Sequence, residues 1–170
     1  MAFMTGPDHD AAVTGVEARF RSDYRALVGL ARLLVDDLGQ AEEVVQDAFV
    51  ALHRHWSRVG DPGAWLRTTV VNGARGRLRR KAVGRRHLRV AEPPLTAPPD
   101  ERVLLADDAL AVLAALRALP HRQRAVVALR YWAHLSESEI AATLGISTGS
   151  VKTHAHRAMG ALAVSLEALR

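Results

Sequence analysis

The chain of 170 residues carries 23 Lys and Arg against 18 Asp and Glu, for a net charge of +5. It has no cysteine, which excludes disulfides, thiol nucleophiles and thiolate metal sites and fits a reducing, cytoplasmic setting. Its mix of apolar and charged residues is that of a globular protein, and no run approaches the ~18 apolar residues of a membrane span, so no membrane insertion is expected.

The opening "MAFMTGPDHD" lacks the basic-then-apolar pattern of a signal peptide, and residues 1–15 are expected to be a flexible N-terminus. A first helix is predicted over Val16–Val35, with Phe20, Tyr24, Leu27, Leu30, Ala31 and Leu34 at three- and four-residue spacing. A second is predicted over Gln40–Trp56, with Val44, Val45, Ala48, Phe49 and Leu52 inward and acids near its start. The third begins at "DPGAWL", where Asp61 can cap and Pro62 suits the first helical position. It carries Trp65, Leu66, Val70, Val71 and Leu78 inward and ends near Gly84, studded with arginine.

Two Pro pairs follow in "AEPPLTAPPDE". Proline lacks an amide donor and restricts the residue before it, so this stretch reads as an extended linker. Beyond it Asp107 or Asp108 opens a helix with Leu110, Leu113 and Leu116 inward, and "LPHRQRAVVALRYW" forms the next. Ser136 and Glu139 have the spacing of a capping box, and Gly145 can end that helix with positive φ. Ser147 can cap the last helix, which should run to about Leu169. The fold class is therefore all-α: two small helical domains, residues 16–88 and 106–170, joined by a Pro-rich linker at 89–105.

Charge is arranged in blocks along these elements. Residues 1–50 hold four Arg against nine acids, and residues 51–91 hold eleven Lys and Arg against one. Residues 92–116 are acidic again, and residues 117–170 hold seven cations against three acids. Two basic blocks separated by an acidic one point to two polyanion-facing surfaces.

The final pair of helices supplies the strongest motif. Val151, Ala155, Ala158 and Leu162 stack at helical spacing and should pack on Ile140 and Leu144. Lys152 with His156, and Thr153 with Arg157, then share a polar, basic side near the helix N-terminus. That is the requirement for a recognition helix in a major groove, so the pair reads as a helix-turn-helix. Trp65, at the start of the basic third helix, can be a stacking plate for unpaired bases or a core residue. Trp56 and Trp132 are expected in the core.

From about Phe20 to Leu169 the chain resembles the extracytoplasmic-function sigma factors, two-domain specificity subunits of bacterial RNA polymerase. "GQAEEVVQDAFVALHRHW" resembles region 2.2, "DPGAWLRTTVVNGARGRLRRK" regions 2.3 and 2.4, and "LPHRQRAVVALRYWAHLSESEIAATLGISTGSVKTHAHRA" region 4. The arginine-rich style leans toward the actinobacterial, SigE-like forms. The resemblance implies that residues 16–88 bind core polymerase and the −10 element, and that residues 106–170 bind the −35 element.

By position, Glu43, Gln46 and Asp47 would dock on the clamp helices of the largest polymerase subunit. Trp65, Arg67, Asn72, Arg75 and Arg79 would hold and melt the −10 element, with the loop 57–63 enclosing a flipped base. Ser150, Lys152, Thr153, His156 and Arg157 would read the −35 duplex. The implied partners are core RNA polymerase, through its clamp helices and the flap of the second-largest subunit, promoter DNA, and an anti-sigma factor. The linker acids Asp100, Glu101, Asp107 and Asp108 would mimic nucleic acid in a polymerase channel or act as a soluble tether. The chain departs from the family pattern at His154, where Arg is common, and at Ala155, where a larger apolar residue is common.

No cofactor and no catalysis are expected. His53 with His55, and His154 with His156, are two apart and face different ways on a helix, so neither pair chelates. No nucleophile elbow and no glycine-rich phosphate loop occurs. The alternative to a sigma subunit is a helix-turn-helix regulator that binds duplex DNA, usually as a dimer, without joining the polymerase. A third possibility is an interaction module for an acidic protein. The basic block outside the helix-turn-helix speaks against the regulator.

Overall fold

The structure is a computed structural model whose described residues are 7–88 and 107–167, with side chains described at 10, 12–80 and 109–167. Among these the chain is helical throughout: α1 (Pro7–Leu34), α2 (Leu38–His55), a 3₁₀ turn (Trp56–Arg58), α3 (Pro62–Leu88), α4 (Asp107–Ala118), α5 (His121–Val127), a π-helical turn (Ala128–Trp132), α6 (Glu137–Leu144) and α7 (Thr148–Glu167). The Pro-rich linker lies outside the described residues, as do the side chains of Lys81, Arg85, Arg86 and Arg89 in the second charge block.

The helix boundaries follow local chemistry. Asp37 caps α2 by accepting from the Gln40 N–H at 2.8 Å, and Asp61 accepts from the Ala64 N–H at 3.1 Å with Pro62 at the first helical position of α3. Ser136 and Glu139 complete a capping box on α6: the Glu139 N–H donates to Ser136 Oγ at 3.3 Å and the Ser136 N–H to Glu139 Oε2 at 2.8 Å. The Ser136 hydroxyl, which donates to Glu139 Oε2 at 2.6 Å, and then the Ser136 N–H hold the Glu139 carboxyl below its ordinary pKa, with burial opposing and the charge of Arg67 assisting. Gly145 ends α6 at φ 62°, and the Ile146 N–H closes the cap on the Ala141 carbonyl at 3.1 Å.

The expected loose start through residue 15 is corrected, because α1 begins at Pro7. The early turns have something to pack on: Ala12 is buried, and at Gly15 the helix backbone meets the Trp56 ring so closely that a Cβ would overlap it. No periodic apolar run announces this contact, since glycine and alanine provide it by being small. The third helix likewise continues past Gly84 to Leu88.

Helices α1, α2 and α3 pack pairwise around Leu30, Leu34, Val45, Leu52, Leu66 and Val70, all fully buried. Each such leucine contributes about 1.5–3 kcal/mol relative to an exposed one. In the C-terminal domain α7 packs on α4, α5 and α6, with Val151, Ala155, Ala158 and Leu162 inward as their spacing predicts. The two cores are continuous: Val126, Leu129, Ile140 and Val151 belong to the same buried cluster as Leu27, Leu30 and Leu34 of α1. The C-terminal domain thus sits directly against α1 and α3.

Candidate nucleic-acid interface

On α7 the cap comes first. Ser147 Oγ accepts from the Ser150 N–H at 3.1 Å, satisfying one of the helix's unpaired first-turn amides. Lys152, Thr153, His156 and Arg157 are all exposed on one side, and Ser150 is half-exposed beside them. Thr153 Oγ1 donates back to the Gly149 carbonyl at 3.0 Å, and the Lys152 ammonium lies 3.7 Å from Glu137 of α6. Glu137 also accepts from Arg130 at 2.7 Å, a link between the helix-turn-helix and the π-helical turn that the sequence did not reveal. His154, by contrast, is half-buried with its Nδ1 enclosed and without a partner in the protein, so it does not share this side.

On α3 the positions 65, 68, 72, 75 and 79 advance by three and four residues and form one stripe. Trp65 is half-buried against the core, with the His55 ring 6.2 Å away, whereas Asn72, Arg75 and Arg79 are exposed. Thr68, which sequence reasoning passed over, completes the stripe and bonds the Ala64 carbonyl at 3.0 Å. An aromatic followed by an amide and two guanidiniums can stack one base, hydrogen-bond another and hold the phosphates between them. Arg67 lies at the margin of this stripe: it lines one cleft with Trp65 and Thr68 and a second, toward α1, with Arg19, Asp23 and Trp132. Its charge, with that of Arg19, helps the Ala64 and Gly63 N–H groups hold the Asp61 carboxyl below its usual range; the Ala64 bond dominates, and burial opposes it.

On α2, Gln46 and Asp47 are exposed, and Glu43 lies beside them. Arg77 of α3 gathers the two carboxylates: its Nη1 donates to Glu43 at 2.5 Å and its Nη2 lies 3.6 Å from Asp47. Sequence reasoning assigned Arg77 only to the basic block. The pair spans 34 positions, and no local spacing signals it. The acidic face is thereby separated from the α3 stripe by a fixed cation.

Two family models match, Sigma-70 region 2 over residues 19–83 and Sigma-70 region 4 over residues 109–162. The RNA polymerase sigma-E factor of Streptomyces avermitilis is 34% identical over 159 residues, covering 89% of this chain and 84% of that protein. The ECF RNA polymerase sigma factor SigL of Mycobacterium tuberculosis is 34% identical over 144 residues, 80% of each chain. The chain belongs to the extracytoplasmic-function RNA polymerase sigma factors. The sigma factor also shares its fold with RpoE of Bartonella quintana, solved in complex with the anti-sigma factor NepR, at a TM-score of 0.75 and 22% identity over 91% of this chain and 98% of that one. The region 2 match contains the acidic face of α2 and the α3 stripe, and the region 4 match contains the exposed side of α7. The family is a class of transcription factors rather than enzymes. Among the described residues no helix is long and apolar enough to cross a membrane, and no group of three His, Asp or Glu could hold a metal ion.

Proposed function

We infer that this sigma factor is a dissociable subunit that binds core RNA polymerase, recognises −10 and −35 promoter elements and directs transcription initiation in the cytoplasm, without catalytic activity of its own. The observation that carries this reading is the presence of two differently built basic faces in one chain. The α7 side is a helix N-terminus with short polar and basic groups, suited to base edges of a duplex. The α3 stripe pairs an aromatic plate with an amide and guanidiniums, suited to unpaired bases. A regulator of duplex DNA has use for the first face only.

In this reading residues 16–88 are the polymerase- and −10-binding domain and residues 106–170 the −35-binding domain. Glu43, Gln46 and Asp47 meet a basic surface on the polymerase clamp. An acidic helix attracts such a surface and is repelled by DNA. Trp65, Arg67, Asn72, Arg75 and Arg79 take the opened strand. Ser150, Lys152, Thr153, His156 and Arg157 read the closed duplex. An anti-sigma factor is the further partner we propose.

The test is reconstitution. Purified protein mixed with bacterial core polymerase should co-elute on gel filtration, and the mixture should open new transcription start sites on genomic fragments. Dimers that shift duplex DNA without polymerase, together with no new starts, would replace this reading by the regulator.

A further inference from the structure

The side chains assigned to the −35 duplex all lie on α7, yet one charge that meets them belongs to another helix. Glu137 opens α6, immediately after its cap at Ser136. Its Oε2 lies 3.7 Å from the Lys152 ammonium, and its Oε1 accepts from Arg130 Nη2 at 2.7 Å. One carboxylate therefore stands between two cations, one from α7 and one from the π-helical turn Ala128–Trp132. Trp132 of that turn, expected in the core, is half-exposed instead, and its indole N–H donates to the Ala26 carbonyl of α1 at 2.9 Å. The other acid in the first turn of α6, Glu139, is taken by the Ser136 N–H at 2.8 Å and the Ser136 hydroxyl at 2.6 Å. Glu137 is thus the acid that this turn presents to α7.

The two ends of the pair differ in freedom. Glu137 is the sheltered one, with 30% of its side chain exposed against 69% for Lys152. Its backbone is set by the capping box and its carboxylate by a charge-assisted bond to Arg130. Lys152 ends a flexible four-carbon stem, which on its own sweeps its charge over many positions. Only the lysine remains to be ordered, so the acid fixes where the ammonium stands.

The effect on DNA binding follows from charge. A lysine at a groove has two kinds of partner: phosphate oxygens, which every sequence offers, and base edges such as O6 and N7 of guanine, which only some offer. In a helix-turn-helix the first helix crosses the backbone while the second enters the groove. A carboxylate in the first turn of α6 therefore opposes phosphates and offsets the sequence-independent attraction of Lys152. A base edge is uncharged and meets no such repulsion. Specificity is the difference between the two kinds of contact, and the carboxylate widens it.

We propose that Glu137 is the positioning residue for Lys152 and a determinant of −35 specificity, although it lies outside the helix that reads the bases. The inference rests on the reading that the exposed side of α7 meets the −35 duplex. It adds the residue that makes one of those contacts selective.

The experiment uses holoenzyme reconstituted from core polymerase and the full chain. Its probes are a duplex promoter fragment that the parent holoenzyme selects from a pool randomised across the −35 positions, and the same fragment with those positions scrambled. Glu137→Gln keeps the shape of the side chain and an acceptor for Arg130 but removes the charge. It should strengthen binding to the scrambled fragment and lower the selected-to-scrambled affinity ratio at least about fivefold, the lower end of what one good base contact supplies. With the ammonium released to a phosphate, the slope of log K against log salt should steepen by about one. Adding Lys152→Ala to Glu137→Gln should return the slope to the parent's value. A parental ratio and slope in Glu137→Gln overturn the proposal. A role confined to the helix dipole of α6 would lower the calorimetric Tm and leave ratio and slope unmoved, and that result overturns it equally. A steeper slope that persists in the double variant assigns the effect to another cation and overturns the pairing with Lys152. If Lys152→Ala alone keeps the parental ratio, or the parent holoenzyme selects no −35 sequence, the −35 reading itself fails and the proposal falls with it. A ratio lowered by Lys152→Ala but not by Glu137→Gln keeps that reading and removes the proposal alone.

Discussion

At the scale of single residues, the termini of the helices were the most legible part of the molecule. Asp61, Ser136, Glu139, Gly145 and Ser147 act as their types and spacings predict, because a cap is a local event between neighbours in sequence. Gly145→Ala isolates one such term. No atom outside its neighbours lies within 4 Å of the added carbon, so only the positive φ resists the substitution. The expected cost is about 1–2 kcal/mol, read as a fall of a few degrees in the calorimetric Tm. On the exposed side of α7, Lys152→Ala with Arg157→Ala should abolish −35-dependent transcription in vitro and leave the dissociation constant for core polymerase unchanged. Unaltered output from a −35-dependent promoter would show that this side of α7 does not read DNA. What single residues hid was their distant partners. Arg77 with Glu43, Arg124 with Leu34 and Trp132 with Ala26 join positions 34, 90 and 106 apart, and no spacing rule reaches that far.

At the scale of elements, helix periodicity located α2, α3, α6 and α7 and gave their buried faces, because each has a continuous apolar side with a core to meet. It failed at the start of α1, where small residues rather than large ones make the contact, and at Trp132, where a π-helical turn departs from the 3.6-residue period. The same period sorts the −10 candidates. Trp65, Asn72, Arg75 and Arg79 share a stripe, and Arg67 lies at its margin beside Trp65 and Thr68, where its charge also reaches Asp61. On α2, Gln46→Ala with Asp47→Ala should weaken core binding at least severalfold by removing the exposed groups of the acidic face, with helicity by circular dichroism unchanged. A wild-type dissociation constant would remove α2 from the docking surface.

At the scale of the whole molecule, the sequence suggested two domains on a tether, and the structure adds that they share a core. Composition and periodicity describe each helix's apolar side but not which helix it meets, so the seam was invisible in them. The seam carries a titration. His121 sits in it between Arg124 and Arg122 of its own helix and Arg75 of α3, and its pKa falls from 6.5 to about 4, chiefly because burial disfavours the cation, with those three charges adding to the effect. An unfolded chain returns the ring to its ordinary value. Between those two values the folded chain binds fewer protons than the unfolded one, so this contribution to stability is fully present above about pH 6.5 and is lost as pH falls toward 4. The calorimetric Tm should fall between pH 7.5 and pH 5, and His121→Asn should lessen that fall.

The five-residue turn from Ala128 to Trp132 also makes the spacing of the polypeptide itself a control variable. A π-helical turn holds one amino acid more than the ordinary winding on either side of it. Loss of one codon there would let the segment rewind as plain α-helix and swing the indole by about 100°. Such a deletion alters neither the exposed side of α7 nor the α3 stripe, yet it would lift the indole off the Ala26 carbonyl and Gly29 of α1, so insertions and deletions in this short window are a genetic handle separate from any substitution.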